Sequence, residues 1–259
     1  MALLTVTLAF TLLGGLSATP SDSFDHTHAR WDAVVHEAVS PDGAISLVDY
    51  AALKRKPGEF DAYLAELTAV TAAEFGGWSE SQRLAFLINA YNAWTVKLIV
   101  DNYPVESIKE LGGWLSSPWK QDFFELLGET RNLDDIEHGM IRQNFKEPRI
   151  HFAVNCASLG CPPLRAEAFR ADRLDEQLED NTRIFLQDVR RNKFDAARNT
   201  LHLSSIFKWY GSDFVATDGS VEAFVASRIT ADPAKRREIA SRQVRIRFLD
   251  YDWTLNGRK

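Results

Sequence analysis

The sequence predicts an α+β fold, a single domain with a helix-rich N-terminal half and a small, mainly antiparallel sheet packed on a central buried helix. Three observations predict it. Apolar residues at helical spacing dominate roughly the first hundred residues. Within that half, residues 81–102 carry Leu84, Phe86, Leu87, Ile88, Tyr91, Trp94, Val96, Leu98 and Ile99 with little polar surface left over, which marks a helix buried on most sides. Beyond it, short strand-like runs interleave with helical ones, an order that suits a small sheet set against helices.

Each element follows from its own pattern. Residues 23–40 read as a helix with Trp31, Val34, Val35 and Ala38 on one face, ended by the turn chemistry of Ser40-Pro41-Asp42-Gly43. A second helix is expected over 47–54, with Asp49-Tyr50 in its first turn, and a third over 60–69. Asn102-Tyr103-Pro104 terminates the central helix. Residues 112–119 form an aromatic loop, and 123–127 with 130–133 form a short hairpin. Asp134-Asp135-Ile136-Glu137 resembles a capping box, Asp134 capping and Glu137 reaching back, which opens a helix to about Asn144. Residues 149–155 read as a strand, 173–191 as an amphipathic helix, 201–203 as a strand and 205–214 as helix-prone. Residues 244–248 alternate cleanly, as a half-buried strand does.

Composition bounds the function. Hydrophobic residues make up 45% and charged residues 25% of 259, ordinary globular usage. The net charge of −6 with interspersed signs argues against a nucleic-acid partner, which would favour a basic face. Seven Trp and sixteen Phe suit a dense core or a pocket for an apolar or planar ligand. Residues 3–16 carry no charge and run into Ser17 and Ala18, which resembles the apolar core and cleavage region of a secretory signal peptide. The run is short for a membrane span. A leader over 1–19, a helical extension over 20–74 and an α+β domain over 75–259 are therefore expected. The mature protein is expected to be periplasmic or secreted, without a membrane span. An N-terminal anchor or a buried strand is the alternative reading of the leader.

Both cysteines fall in one stretch, where His151-Phe152-Ala153-Val154-Asn155 runs into Cys156, Ser158 and Cys161, closed by Pro162-Pro163. With Phe86-Leu87-Ile88-Asn89-Ala90-Tyr91-Asn92-Ala93 and Ile136-Glu137-His138-Gly139-Met140-Ile141-Arg142, this stretch resembles domain-of-unknown-function family 547. Phe207-Lys208-Trp209-Tyr210 with Asp213-Phe214, and Tyr251-Asp252-Trp253-Thr254-Leu255-Asn256, extend the resemblance over about residues 75–255 on a sequence-only reading. The resemblance implies no established activity. A relation of such a family to papain-like thiol hydrolases is an analogy and assigns no residue.

Three readings of the cysteines stand side by side. Cys156, in a turn after a strand, is where a thiolate nucleophile would be held rigidly yet reachable. The N–H groups of Ala157 and Ser158 would then offer an oxyanion hole. A Cys156–Cys161 disulfide would remove that nucleophile or store it in a redox-switchable form. A metal site with His138 and His151 lacks the usual zinc spacing, so no metal or cofactor is expected. His138 is the candidate base, kept neutral in the first helical turn, or else a surface residue. Glu137 is its acidic neighbour, but points about 100° away on a helix. Strand alternation turns His151 away from Cys156, making it a core histidine or a second-choice base unless a bulge intervenes. Buried Asn89 and Asn92, flanking Tyr91, either brace the thiol turn or meet substrate with Ser158. Asp213 or Asp252 would orient a histidine across the fold, or cap a turn. No phosphate loop, nucleophile elbow or His-Glu-x-x-His is present.

The expectation is an exported thiol-dependent hydrolase or acyl-transfer enzyme with Cys156 as nucleophile and His138 as base, acting on a small-molecule or peptide-like substrate. The alternative is a non-enzymatic envelope protein that binds a ligand or partner and carries a structural Cys156–Cys161 disulfide.

Overall fold

Residues 23–113, 116–241 and 243–258 are described by a computed structural model. The expected leader over 1–19 lies outside them, as do Trp114 and Leu115 of the aromatic loop. Helix α1 (Ala29–Ala38) buries Trp31, Val34, Val35 and Ala38, the four residues its spacing singles out. Strands β1 (Val39–Asp42) and β2 (Ile45–Val48) pair antiparallel about Gly43, whose φ of +61° closes the turn. Leu47 and Val48 thus belong to a strand rather than to the expected helix. The helix begins after them because the Asp49 carboxylate accepts the Ala52 N–H at 2.8 Å, capping α2 (Tyr50–Arg55). Helices α3 (Gly58–Ala69) and α4 (Ala72–Gly76) follow.

The central helix α5 (Glu80–Asn102) opens with a reciprocal capping box between Ser79 and Gln82. Its buried positions run almost unbroken from Leu84 to Val100. They sit in one apolar core with residues of α1, α2 and α3. Hairpin β3 (Phe124–Leu126) and β4 (Glu129–Arg131) turns through Leu127 and Gly128, both at positive φ, as a tight hairpin turn requires. Phe124 stacks on Trp94 at 4.7 Å and ties the hairpin to α5.

The segment after the hairpin departs from expectation. Asn132 and Asp135 cap reciprocally, the Asn132 N–H donating to Asp135 and the Asp135 N–H to Asn132. Asp134 caps nothing. The capping pair starts at Asn132, so Glu137 is released from the helix end and faces inward. A π-helical stretch, Asp135–Ile141, continues into the short α6 (Arg142–Asn144); such widened turns recur at functional sites. The expected strand over 149–155 is instead a 3₁₀ turn, Pro148–Phe152, which Pro148 at its first position favours.

Helix α7 (Leu174–Leu186) ends earlier than its apolar pattern suggests. Strands β5 (Lys193–Asp195) and β6 (Thr200–Ser204) pair antiparallel. Helices α8 (Ile206–Trp209), α9 (Gly211–Asp218), α10 (Val221–Ile229) and α11 (Pro233–Ala240) lead to β7 (Arg245–Leu249), which joins β6 in parallel. The strands therefore divide among two antiparallel hairpins and one mixed sheet. A second core, rich in Phe152, Phe185, Phe207, Phe214 and Phe224, fills this half. The chain then returns across the cysteine turn. Leu159 N–H donates to Thr254 and Gly160 N–H to Asp252, both at 2.8 Å. A side chain at Gly160 would meet the Asp252 carbonyl at 2.8 Å and the Tyr251 ring at 2.9 Å, so this close approach demands glycine. No helix among the described residues is long and apolar enough to cross a membrane.

Candidate functional site

The two cores meet at a cavity of about 240 Å³, lined by Tyr91, Glu137, His138, His151 and Cys156 on one side. Trp119, Trp209, Tyr210, Tyr251 and Trp253 supply aromatic walls. The Trp253 ring packs against Tyr251 at 4.6 Å, Trp119 at 5.7 Å and Trp209 at 5.8 Å. Such walls suit a planar or apolar group.

Asparagines hold the cysteine turn. Asn92 on α5 donates to the Ala153 carbonyl at 2.9 Å and accepts the Asn155 N–H at 2.8 Å. The Asn155 side chain then donates to Pro162 and accepts the Ala157 N–H. Ala157 sits at φ +58°, a left-handed conformation unusual for alanine and often found beside reactive groups. Asn92 therefore braces the turn and does not line the cavity. Asn89 is equally committed, but to both backbone groups of Phe169, at 2.7 and 3.0 Å. Tyr91, between them, does reach the cavity. The Ala157 N–H, expected in an oxyanion hole, is taken by Asn155.

Cys156 and Cys161 are joined as a disulfide. The Cys156 sulfur lies 3.1 Å from the Tyr251 hydroxyl and 3.6 Å from that of Ser158. Ser158 is buried and is not among the lining residues. No imidazole nitrogen is hydrogen-bonded to Cys156 among the described residues; Tyr251, missed by the sequence reading as a site residue, stands there instead.

The histidines exchange roles. His151 is buried, and because its segment is a 3₁₀ turn rather than a strand, it shares the cavity with Cys156. Its Nε2 lies 2.8 Å from Asp213, whose two oxygens also accept from Arg142 at 2.7 and 2.9 Å. Tyr210 stacks on the imidazole at 3.8 Å. Burial leads the effects on His151 and holds its pKa below the ordinary value, against the pull of Asp213 and Glu137. The hydrogen bond from His151, then those from Arg142, hold the Asp213 carboxyl far below the usual range. An ionised Asp213 accepts, so Nε2 carries the proton and Nδ1 is left as the acceptor. Nδ1 lies 3.9 Å from Glu137 Oε1, too far for a hydrogen bond. That buried oxygen has no hydrogen-bond partner among the described residues. Burial, then the Glu137 carboxylate, pushes the phenols of Tyr91 and Tyr210 up.

His138 is more exposed, with 41% of its side chain accessible. Its Nδ1 accepts from Arg142 at 3.2 Å. Its Nε2 lies 3.9 Å from Asp134, whose carboxyl burial pushes up. Among the described residues, no group of three or more His, Cys, Asp or Glu side chains is placed to hold a metal ion.

Residues 75–186 match the family model described as "Protein of unknown function, DUF547". The chain carries a DUF547 stretch. It includes α5, the π-helical segment, the cysteine turn and α7, and with them Glu137, His138, His151 and both cysteines. Asp213, Tyr210 and Tyr251 complete the cavity from beyond the DUF547 stretch. No curated protein and no solved structure matches the chain.

Asp213 holds a histidine across the fold, one of the two roles the sequence allowed it. Arg142 carried no signal of its own, and Asn155 carried one: an Asx-type residue entering a turn.

Proposed function

We propose that the protein is an exported thiol-dependent enzyme of hydrolase or acyl-transfer type, with Cys156 as nucleophile once its bond to Cys161 is open. The observation that carries this reading is the cavity shared by Cys156 and a His151 whose Nε2 is held by Asp213 at 2.8 Å. His151 is the better base than His138. Its Nδ1 is left as the acceptor by the bond of Nε2 to Asp213, whereas the corresponding atom of His138 is engaged by Arg142. The proton leaves the Cys156 thiol for Nδ1, and the thiolate adds to a carbonyl carbon. The imidazolium then lies between two carboxylates, Asp213 and Glu137, which stabilise its charge. The Tyr251 hydroxyl, beside the sulfur, is the donor placed to meet the oxyanion. Burial keeps that phenol protonated. Trp209 and Trp253 would receive an apolar group of a small-molecule or peptide-like substrate. An oxidising compartment suits the bridged resting form.

The test is labelling by acylating and alkylating probes at neutral pH, with and without prior reduction. Reduced wild type should label at Cys156, and Cys156→Ala should not. Asp213→Asn should label slowly. The bridge itself favours a second reading, a ligand-binding protein with a structural disulfide. Resistance to mild reduction in the native state, with no labelling afterwards, would establish that second reading and end the first.

A further inference from the structure

The bridge beside the cavity is asymmetric. Cys156 is half-buried and lines the cavity, whereas Cys161 is 2% exposed and is not among the lining residues. An incoming thiol therefore meets the Cys156 sulfur. Three donors converge on the other sulfur. They are the Cys156 backbone N–H at 3.0 Å, the Ser158 hydroxyl at 3.2 Å and the Tyr251 hydroxyl at 3.3 Å. A disulfide sulfur has no proton to give, so a hydroxyl hydrogen-bonded to it donates; the Tyr251 hydroxyl, with one proton, also lies 3.1 Å from Cys156 Sγ and is shared between the two sulfurs. The Arg191 guanidinium also donates to the Cys161 carbonyl, bringing positive charge to the same residue. Donors and positive charge stabilise a thiolate, and a better leaving thiolate speeds disulfide exchange.

From these contacts we infer that the Cys156–Cys161 bridge is a thiol–disulfide exchange centre for low-molecular-weight thiols that enter the cavity. Asp134 and Glu137 line that cavity with no Lys or Arg among the lining residues, so neutral or cationic thiols suit it better than anionic ones. A thiolate RS⁻ attacks Cys156 Sγ and forms a new S–S bond. The Cys156–Cys161 bond breaks, and its electron pair leaves on Cys161 Sγ. A second RS⁻ attacks the R sulfur of the mixed disulfide, releasing RSSR and the Cys156 thiolate. Two thiolates are oxidised by two electrons, and the bridge is reduced. The inference rests on the proposed enzyme only for what the freed Cys156 then does, because exchange needs no carbonyl substrate.

Adduct mapping by mass spectrometry tests which protein sulfur is open to exchange from the cavity. Cystamine, a disulfide carrying two amines, should place its half on Cys156 in Cys161→Ser and leave Cys161 unmodified in Cys156→Ser over the same period. Equal or preferential modification of Cys161 overturns the inference. Reduction of the oxidised full chain by dithiothreitol, quenched by alkylation, tests the donors. Tyr251→Phe and Ser158→Ala should each slow it by roughly five- to tenfold, the share of a hydrogen bond to a developing charge. Unchanged rates in both variants, with thermal melts of the oxidised proteins like that of wild type, also overturn it. The mapping is read on the folded variants, because Cys161 is shielded only in the native chain, and urea-unfolded Cys156→Ser, in which Cys161 should be modified, is the control. Exchange at Cys156 without acylation of the reduced protein would end the hydrolase reading and leave exchange standing.

Discussion

Two histidines, one in the N-terminal helical region and one in the cavity, are almost equally hidden from water, at 1% for His28 and 3% for His151. Their surroundings differ in kind. His28 Nδ1 meets the Tyr63 hydroxyl at 2.8 Å, its ring packs on Phe24, and its Nε2 is buried with no partner among the described residues. His151 has Asp213 on one nitrogen and faces Glu137 across 3.9 Å on the other. Burial lowers the basicity of both. Asp25 favours a proton on His28 through space alone, whereas His151 has Asp213 hydrogen-bonded to it and Glu137 beside it to stabilise the imidazolium once a proton arrives. The same burial therefore makes one ring a packing element and equips the other as a base, and the difference lies in the partners rather than in the depth.

The largest expected effect removes that difference. Asp213→Asn keeps the shape but loses the charge that fixes the His151 tautomer, and it leaves Arg142 without its paired carboxylate. Labelling of reduced Cys156 should fall by up to about ten-thousandfold, by analogy with replacing the orienting carboxylate of a catalytic triad. A rate within a few-fold of wild type would show that Asp213 only anchors Arg142. In wild type, the depressed Asp213 pKa favours the fold above the ordinary carboxylate value. That contribution is lost only as pH falls through and below that value.

His28 should show itself in stability. Its folded pKa is lowered from 6.5 to about 3, so the unfolded chain binds more protons throughout that window. Stability is complete above pH 6.5 and falls as pH drops towards 3, by up to about 1.4 kcal/mol per pH unit. Urea unfolding from pH 7 to 4.5 should thus lose about 2 to 3 kcal/mol through this residue. His28→Gln should flatten that slope and leave Cys156 labelling untouched. An unaltered slope would mean that the ring is not buried in neutral form.

The first region was the more legible in sequence. The Trp31, Val34, Val35 and Ala38 spacing, and the apolar run through α5, are local patterns that burial enforces directly. The cavity was legible in its residue types and not in its assembly. A seven-residue alternation over 149–155 fits a strand, but Pro148 opens a 3₁₀ turn there, which brings His151 to the cavity. The cap assigned to Asp134 belongs to Asn132, since Asn and Asp three apart satisfy the helix end equally well. The His151–Asp213 bond spans 62 residues and the Cys156–Tyr251 contact 95, and no local periodicity encodes such separations.

Asn89 and Asn92 repeat the comparison on one helix. Each holds two buried backbone groups, so Asn89→Ala and Asn92→Ala should each cost about 2 to 3 kcal/mol in chemical denaturation. Only Asn92 holds the cysteine turn. Its variant should also slow Cys156 labelling, whereas the Asn89 variant, tied to Phe169, should not. Equal loss of labelling in both would place the rigidity of the turn elsewhere.

The smallest expected effect has opposite signs in stability and chemistry. His28 Nε2 and Glu137 Oε1 are both buried and unpartnered among the described residues, yet only the second is a carboxylate oxygen facing a base. Glu137→Gln removes the penalty of keeping a charge out of water, and its amide can turn an N–H towards His151 Nδ1. Thermal unfolding should therefore show a gain of about 1 kcal/mol, the scale of one new hydrogen bond. The same N–H would occupy the lone pair that takes the Cys156 proton, and the imidazolium would lose one of its two carboxylates. Labelling should drop by roughly tenfold, less than in Asp213→Asn because Glu137 makes no hydrogen bond to His151 in the resting state. A variant both less stable and fully reactive would show that the carboxylate serves the fold, and His151 would then differ from His28 by Asp213 alone.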